Sequence, residues 1–462
     1  MAEVVVCGGG LIGLSAAVML ARAGHQVTVL EADPALSPED PAEAWDRWAR
    51  AGVAQFHQPH TMLAGFREVL RTELPDVHDR LLAAGCIEVD PLVNLPPALA
   101  GDRSRPGDDR LTILGGRRPL VESVVAAAAE DEPGVTVRRG CAVSGLLTGT
   151  SAVAGAPHVS GVRTGDGERI PADLVVDAAG RRTASARWLA EAGARAPAAE
   201  SCGGGFVYYT RYFTGPDRPV LRGPQNSPMG SFSLMVMEGE ARTWSVTIWA
   251  RSADAPLKAL REPGTFDRVV RDCPLQAPLL DGTPLTGVLP MAGILNIRRS
   301  FAAPDGTPVV TGFAALADAW ATTNPSGGRG LSVGLLHARL LRDVVGEHLD
   351  DPAALARAWN RRTEETVGPF YRAQVRADEA RLAEMTAVAS GAEPPPADPF
   401  GVAALYDPQL FRALLETAFC LATPEEVLAR PGVRQRVAEL TGAEPLRIPG
   451  PDRGRLLELL AG

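Results

Sequence analysis

The chain opens on an apolar run, Val4-Val5-Val6-Cys7, that predicts a buried strand. Leu11 to Ala23 reads as a helix with apolar residues on more than one face, and Gln26-Val27-Thr28-Val29-Leu30 as a second strand. His60 to Gly85 reads as helix, and Arg118 to Glu130 as another, followed by strands near 135–139 and 141–147. Leu174-Val175-Val176-Asp177 is a further buried strand, closed by Ala178-Ala179-Gly180. The pattern then changes. Residues 205–214, 231–237 and 243–250 alternate and are rich in aromatics, which predicts antiparallel strands of a second sheet. Val309-Val310-Thr311 returns to the style of a buried parallel strand. Leu331 to Val345 is helical, and Ala353 to Ala387 reads as one long helix or two joined ones. The end of the chain reads as short helices separated by Pro and Gly. Segment 35–60 lacks a clean period, and 90–110, rich in Pro, Gly and Asp, reads as a surface loop.

Between the first strand and the first helix, Gly8, Gly10 and Gly13 stand in G-x-G-x-x-G spacing, and Glu31 closes the second strand. This is the order of parts that binds a dinucleotide. Gly8 permits the tight turn, Gly10 lets the backbone approach a pyrophosphate, and Gly13 lets the helix lie close to the sheet. The helix N-terminus presents free N–H groups to the phosphates. An acid about 20 residues beyond the glycines accepts hydrogen bonds from a ribose diol, and a carboxylate there disfavours the 2′-phosphate of NADP.

Composition narrows the class. Of 462 residues, 45% are hydrophobic and 22% charged, as in globular domains, and the net charge of −9 has no basic patch, which argues against nucleic acid. No apolar stretch approaches the ~18 residues of a membrane span, and the N-terminus enters the first strand without a signal-peptide pattern. The six cysteines are scattered with no C-x-x-C pair, so a cytoplasmic, reduced protein without a metal site is expected. Lys258 is the only lysine. A Walker A lysine is therefore excluded, and a Schiff base would have to use Lys258.

Two later segments extend the nucleotide reading. One is Ala172 to Thr183, with Arg187 beyond; the other is Ala317-Asp318 through Asn324-Pro325-Ser326-Gly327-Gly328-Arg329-Gly330-Leu331-Ser332. In the latter, a strand ending near Thr311 is followed by an acid, and Pro325 with three glycines then opens a helix. Such an opening concentrates positive potential, fitting the negative charge that a reduced flavin carries at N1 and O2. Asp318 would then bind a ribityl hydroxyl. The interrupted order also separates flavin enzymes from nicotinamide dehydrogenases, whose Rossmann unit is usually continuous.

On these three segments the chain resembles the FAD-dependent monooxygenases of the para-hydroxybenzoate-hydroxylase type, and within them the flavin epoxidases of polyether biosynthesis and related actinobacterial oxidoreductases. The resemblance spans roughly residues 3–345. It implies an α/β fold: a Rossmann-like FAD-binding domain, an inserted mixed or antiparallel substrate sheet, and a C-terminal helical region. The FAD domain is expected in segments 1–90, 118–195 and 301–348, with 91–117 a loop or insert, 196–300 the substrate sheet and 349–462 helical. FAD would be held by Gly8, Gly9, Gly10, Leu11, Ile12, Gly13, Glu31 and Ala32, by Ala179 and Gly180, and by Asp318, Pro325, Gly328, Gly330 and Leu331. Arg50 and Gln55 lie in a stretch similar to one that passes beside the flavin. Arg118 matches an arginine that reaches FAD, and the Val143 backbone would meet the adenine. Two positions depart from the pattern. Ala317-Asp318 replaces the usual Gly-Asp, and Ala179-Gly180 replaces an Asp-Gly whose acid serves both FAD and NAD(P)H. A separate flavin reductase thus stands beside NAD(P)H as the source of electrons.

The resemblance implies oxygen transfer to a hydrophobic secondary metabolite through a C4a-hydroperoxyflavin, by epoxidation or hydroxylation with O2, and with no obligatory side-chain nucleophile. Tyr208, Tyr209, Arg211, Tyr212, Phe232, Met235 and Trp249 are the candidate substrate contacts, and His57 and His60 are candidates near the flavin. The halogenases of this fold need a lysine at the pocket and carry a W-x-W-x-I-P signature; the signature is missing and Lys258 is the only lysine. The alternatives are an FAD-dependent reductase or dehydrogenase of an isoprenoid- or polyketide-like substrate, and a non-catalytic flavin-binding module.

Overall fold

The computed structural model describes residues 1–202, 205–217 and 220–462. Five parallel strands form the central sheet in the order Phe313–Ala315, Leu174–Asp177, Glu3–Cys7, Gln26–Glu31, Val135–Arg139. The first strand sits in the middle, so Val4, Val5 and Val6 are buried on both faces, as their uniform apolarity requires. The helices Leu11–Arg22, Arg118–Asp131 and Gly330–His348 contribute to one core beside this sheet.

The second sheet is antiparallel. Asn226–Met229, Phe232–Glu238, Thr243–Arg251 and Phe206–Thr214 follow one another, and Thr283–Pro284 and Leu289–Ala292 pair with the last of them. One face packs on the helices Pro263–Arg271 and Arg453–Ala461 through Tyr209, Phe213, Phe232, Leu234 and Ile248. The other carries Phe206, Tyr208, Met235 and Trp249 toward the long helix Gly368–Ser390 and its Met385.

Two elements read from the sequence are placed differently, and one open alternative is decided. The helix expected over His60–Gly85 is two, Ala64–Glu73 and Pro75–Ala83. Pro75 bars Leu74 from the helical region, and Leu74 sits at φ −136°, ψ 56°. The strand expected at Val309–Thr311 lies instead at Phe313–Ala315. Gly312 breaks the run: it is at φ +69°, and a Cβ there would lie 2.1 Å from the Val159 carbonyl oxygen. Residues 353–387 form two helices, Pro352–Thr366 and Gly368–Ser390, parted at Val367 before a Gly-Pro pair.

Within the core, His337 stacks on Trp359 with ring centroids 4.4 Å apart. Its Nε2–H donates to Thr363 Oγ1 (3.0 Å), and its Nδ1 accepts the backbone N–H of Ala317 (3.1 Å). Ala317 itself is at φ +51°, a left-handed conformation that costs an alanine about 1–2 kcal/mol. Among the described residues, no helix is long and apolar enough to cross a membrane.

Two outcomes follow for stability. Ala317→Gly relieves the left-handed strain while adding chain entropy to the unfolded state, so it should stabilise by about 0.5–1 kcal/mol in denaturant unfolding. Burial holds His337 at a pKa of about 3, below the ordinary 6.5. Between those values the unfolded chain takes up a proton that the folded chain refuses. Stability is therefore lost as pH falls below 6.5, by up to about 1.4 kcal/mol per pH unit for this group. His337→Gln should flatten the dependence of Tm on pH over that window.

Candidate functional site

The candidate site lies where the two Gly-opened helices meet. Gly8 adopts φ +115°, and a Cβ on it would sit 2.5 Å from the Ala178 carbonyl oxygen, so the first and second segments pass in backbone contact. A Cβ on Gly13 meets the Gly8 carbonyl oxygen at its 2.1 Å position, which lets the helix close on the strand. At Gly10 nothing lies within 4 Å of that position: the turn is open on the side where a ligand would approach. Gly10 caps the helix without any side-chain bond, and Arg329 likewise makes no cap bond ahead of Gly330–His348. Both helices thus leave first-turn N–H groups without side-chain caps. Ile12, in the first turn of one helix, lies against Gly334, one turn into the other, so the two helices pack together near their N-terminal ends.

A buried chain of alternating charge runs along one side. The Glu31 carboxylate accepts from Gly9 N (2.8 Å), Asp33 N (2.8 Å) and Arg50 Nη2 (2.8 Å). An ionised carboxylate has about four acceptor positions, which leaves one for an incoming hydroxyl. Arg50 then reaches Glu122 (2.6 Å), Glu122 binds Arg118 Nε (3.0 Å), and Arg118 Nη1 donates to His60 Nε2 (2.9 Å). His60 Nδ1–H bonds the Gln58 carbonyl (2.8 Å). Burial first, and the Arg118 charge second, hold His60 down to a pKa of about 3, so it is neutral and accepts from the arginine.

Farther along, the Asp318 carboxyl is pushed up to about 6 by burial, against the opposing pull of Arg118, Arg181 and Arg299. Arg299 ties the second and third segments by donating to the carbonyls of Arg181 (3.3 Å), Asp318 (3.3 Å) and Ala319 (3.1 Å). Gly180 and Gly330 have open space at their Cβ positions, and Thr61 lies against Gly328. Leu11 and Leu331 are buried beneath the two helix starts. Ala32 and Ala179 are exposed, and Ile12, Gln55, Val143 and Pro325 are half-buried.

Strand alternation divides the expected substrate residues. Tyr208, Met235 and Trp249 share the face toward the third segment. Tyr212, on the same strand face as Tyr208, packs on Trp45 (4.8 Å between ring centroids), which also meets His57 (4.8 Å). Tyr209, Arg211 and Phe232 do not join them. Tyr209 and Phe232 belong to the core on the opposite face, and Arg211 pairs there with Asp267 at 2.6 Å. Side chains two apart along a strand share a face, so Tyr209 and Arg211 had to fall opposite Tyr208 and Tyr212. His57 bonds the Trp45 carbonyl (3.1 Å).

Sequence reasoning missed three residues. Glu122 is fully buried between two arginines; its signal was a lone carboxylate in the apolar stripe of its helix, four residues after Arg118. His337 holds the Ala317 backbone, and Asp378 bonds the third segment from the Gly368–Ser390 helix; both lie on helices whose spacing gave no hint of their partners.

Residues 3–39 match the family of FAD dependent oxidoreductases. A protein of Mycobacterium tuberculosis, Rv3254, is 29% identical over 395 residues, covering 79% of this chain and 78% of that protein. PqsL of Pseudomonas aeruginosa, described as a probable FAD-dependent monooxygenase, superposes with a TM-score of 0.60 at 16% identity, over 90% of this chain and all of the other. The flavin-dependent brominase Bmp2 superposes with a TM-score of 0.63 at 14% identity, over 95% and 98% of the two chains. The chain is thus similar to the FAD dependent oxidoreductases over its first strand–helix–strand unit and shares the fold of PqsL and Bmp2 over most of its length.

Proposed function

We propose that the protein is an FAD-dependent monooxygenase that inserts one atom of O2 into a hydrophobic secondary metabolite, by epoxidation or hydroxylation. The observation that carries this reading is the contact between a doubly open helix cradle and a buried, sulfur-rich and aromatic sheet face. Thr61, beside Gly328, donates to Met237 Sδ (3.0 Å), so the cradle and the sheet touch at that point. Tyr208, Met235, Met237, Trp249 and Met291 lie on the sheet face, with Met385 across from them. Methionine and aromatic side chains together make an adaptable apolar wall for a bulky substrate.

The residues present fit FAD. Gly10 and the Leu11–Gly13 turn would receive the pyrophosphate, and the remaining acceptor position of Glu31 a ribose hydroxyl. Asp318 would take the ribityl chain, and the Gly330 helix start would face the flavin ring. When bound, the flavin supplies the activation of O2. The chain's own part is orientation and dryness. The helix start stabilises negative charge on the reduced ring, and the buried sheet face excludes water from it. Neutral His60 accepts a hydrogen bond and holds Arg118 in place. Electrons arrive from NAD(P)H or from a separate flavin reductase; Ala179, where an acid would serve NAD(P)H, supports the second route. Lys258 is exposed in the Ala255–Arg261 turn, whose Leu257 and Leu260 pack in the core on the opposite face of the sheet, which speaks against a halogenase reading.

Three outcomes test the proposal. Purified protein should show flavin absorbance. With a reductant and a suitable alkene or electron-rich aromatic it should consume O2 and yield a product one oxygen atom heavier; a product altered only in hydrogen count would replace the monooxygenase by the reductase reading. Glu31→Ala and Asp318→Ala should each weaken FAD retention on gel filtration, Glu31→Ala by about tenfold or more, the loss of one charge-assisted bond. Glu122→Ala should act on the fold itself: it leaves buried Arg118 with no hydrogen-bonded carboxylate and Arg50 with that of Glu31 alone, and urea unfolding should register a loss of about 3–5 kcal/mol.

A further inference from the structure

Behind the Gly330 helix start lies a buried polar relay built from four separate stretches of chain. Asp378, on the Gly368–Ser390 helix, is 5% exposed. Its Oδ2 accepts from Asn296 Nδ2 (2.8 Å), and its Oδ1 from Ser326 Oγ (2.5 Å) and Gln374 Nε2 (2.8 Å). Asn296 Oδ1 in turn accepts the backbone N–H of Asn324 (2.7 Å). Asn324 Oδ1 accepts from the Tyr208 hydroxyl of the substrate sheet and from Ser326 N (3.4 Å). Tyr208, Asn296, Asn324 and Gln374 are all buried.

Three donors converge on the Asp378 carboxyl, which burial pushes above its ordinary range while the three hydrogen bonds oppose the shift. The Asn324 backbone N–H can only donate, so Asn296 turns its amide N–H₂ toward Asp378 and its oxygen toward Asn324. That oxygen fixes the Asn324 backbone at the start of the Pro325–Gly327 turn, which leads into Gly328 and the helix start. At the far end, Tyr208 stacks on Trp249 (6.2 Å between ring centroids), so the relay ends on the face assigned above to the substrate.

We propose that Asp378 and Tyr208 are positioning residues that set the Asn324–Gly328 loop against the flavin and couple it to the substrate sheet. This rests on the functional reading above. Asp378→Asn replaces one of two acceptors by a donor, so a donor then faces either Asn296 or the Ser326–Gln374 pair. Asn296 turns over and releases the Asn324 N–H, or Gln374 meets an opposed donor and Ser326, which lies in the turn ahead of the helix start, is re-bonded. The same substitution removes a buried acid beside the loop, whose carboxylate form opposes reduction of a flavin to its anion.

The test uses the full-length holoenzyme as wild type, Asp378→Asn, Tyr208→Phe and the double variant. Midpoint potential and visible spectrum of the bound flavin are read beside FAD affinity and Tm. For Asp378→Asn the expected result is a less negative potential, shifted flavin bands and an FAD dissociation constant raised about tenfold, the equivalent of one buried hydrogen bond. Tyr208→Phe, which removes a single hydroxyl and keeps the packing, should also shift the bands. The double variant should shift the potential by less than the sum of the singles, because both act on one loop. Unchanged potential and spectrum in both single variants overturn the inference, whatever happens to Tm, since a purely structural role would move Tm alone. If Asp378→Asn does not fold, Tyr208→Phe decides by the same readouts. A wild type that takes up no flavin overturns the functional reading itself, and that result is distinct from flavin-replete variants with unaltered spectra.

Discussion

The buried alternation Glu31–Arg50–Glu122–Arg118 is the constraint on which the rest of the site depends. Arg50 is 6% exposed and Glu122 0%, so neither can fall back on water if its partner is lost. Buried ion pairs of this kind add little net stability, because desolvation offsets attraction, but breaking one leaves an uncompensated charge in a medium of low dielectric. What the alternation supplies is position. It ties the end of the second strand, the irregular stretch around Arg50 and the Arg118 helix to one another, and so fixes the chain beside the Gly8–Gly13 turn. It also sets how much of Glu31 remains available, since three of its acceptor positions are filled by the protein.

The same logic recurs at the other end of the cleft with neutral groups. Ala317 holds a left-handed conformation because its N–H is fixed by His337, which is itself held by Thr363 and stacked on Trp359. The strained residue directly precedes Asp318. Local strain survives where its surroundings over-determine it, and here a buried histidine on a neighbouring helix does so. Asp378 plays the corresponding part for Asn324. In each case a polar group on a helix, remote in sequence, orients backbone in a loop that borders the cleft. The helices after residue 329 thereby do more than cover the sheet.

The sheet face turned toward the Gly368–Ser390 helix is mostly apolar. Trp249 and Tyr208 give it rigid surfaces, while Met235, Met237, Met291 and Met385 give it adaptable ones. The opposite face of the same strands is spent on packing against the helices Pro263–Arg271 and Arg453–Ala461, so the two clusters are made from alternate residues of the same strands.

The sequence by itself determined the parallel sheet, the Gly-rich turns, Glu31, Asp318 and the aromatic strands, because each is a local pattern: a period, a spacing or a residue at the end of a run. It placed the antiparallel strands Phe206–Thr214, Phe232–Glu238 and Thr243–Arg251 to within a residue at either end, but not their neighbours Asn226–Met229, Thr283–Pro284 and Leu289–Ala292. It did not determine which of Tyr208 and Tyr209 faces the cleft, since alternation puts neighbours on opposite faces but does not say which face meets the flavin side. Nor did it reveal Glu122, His337 or Asp378. Their partners lie 72, 20 and 52 residues away, and a buried polar group becomes meaningful only when packing brings its donor or acceptor within reach. Gly312 shows the same division on a smaller scale. The apolar run around it predicted a strand, but the close passage of the Val159 carbonyl, a tertiary contact, decided where that strand could begin.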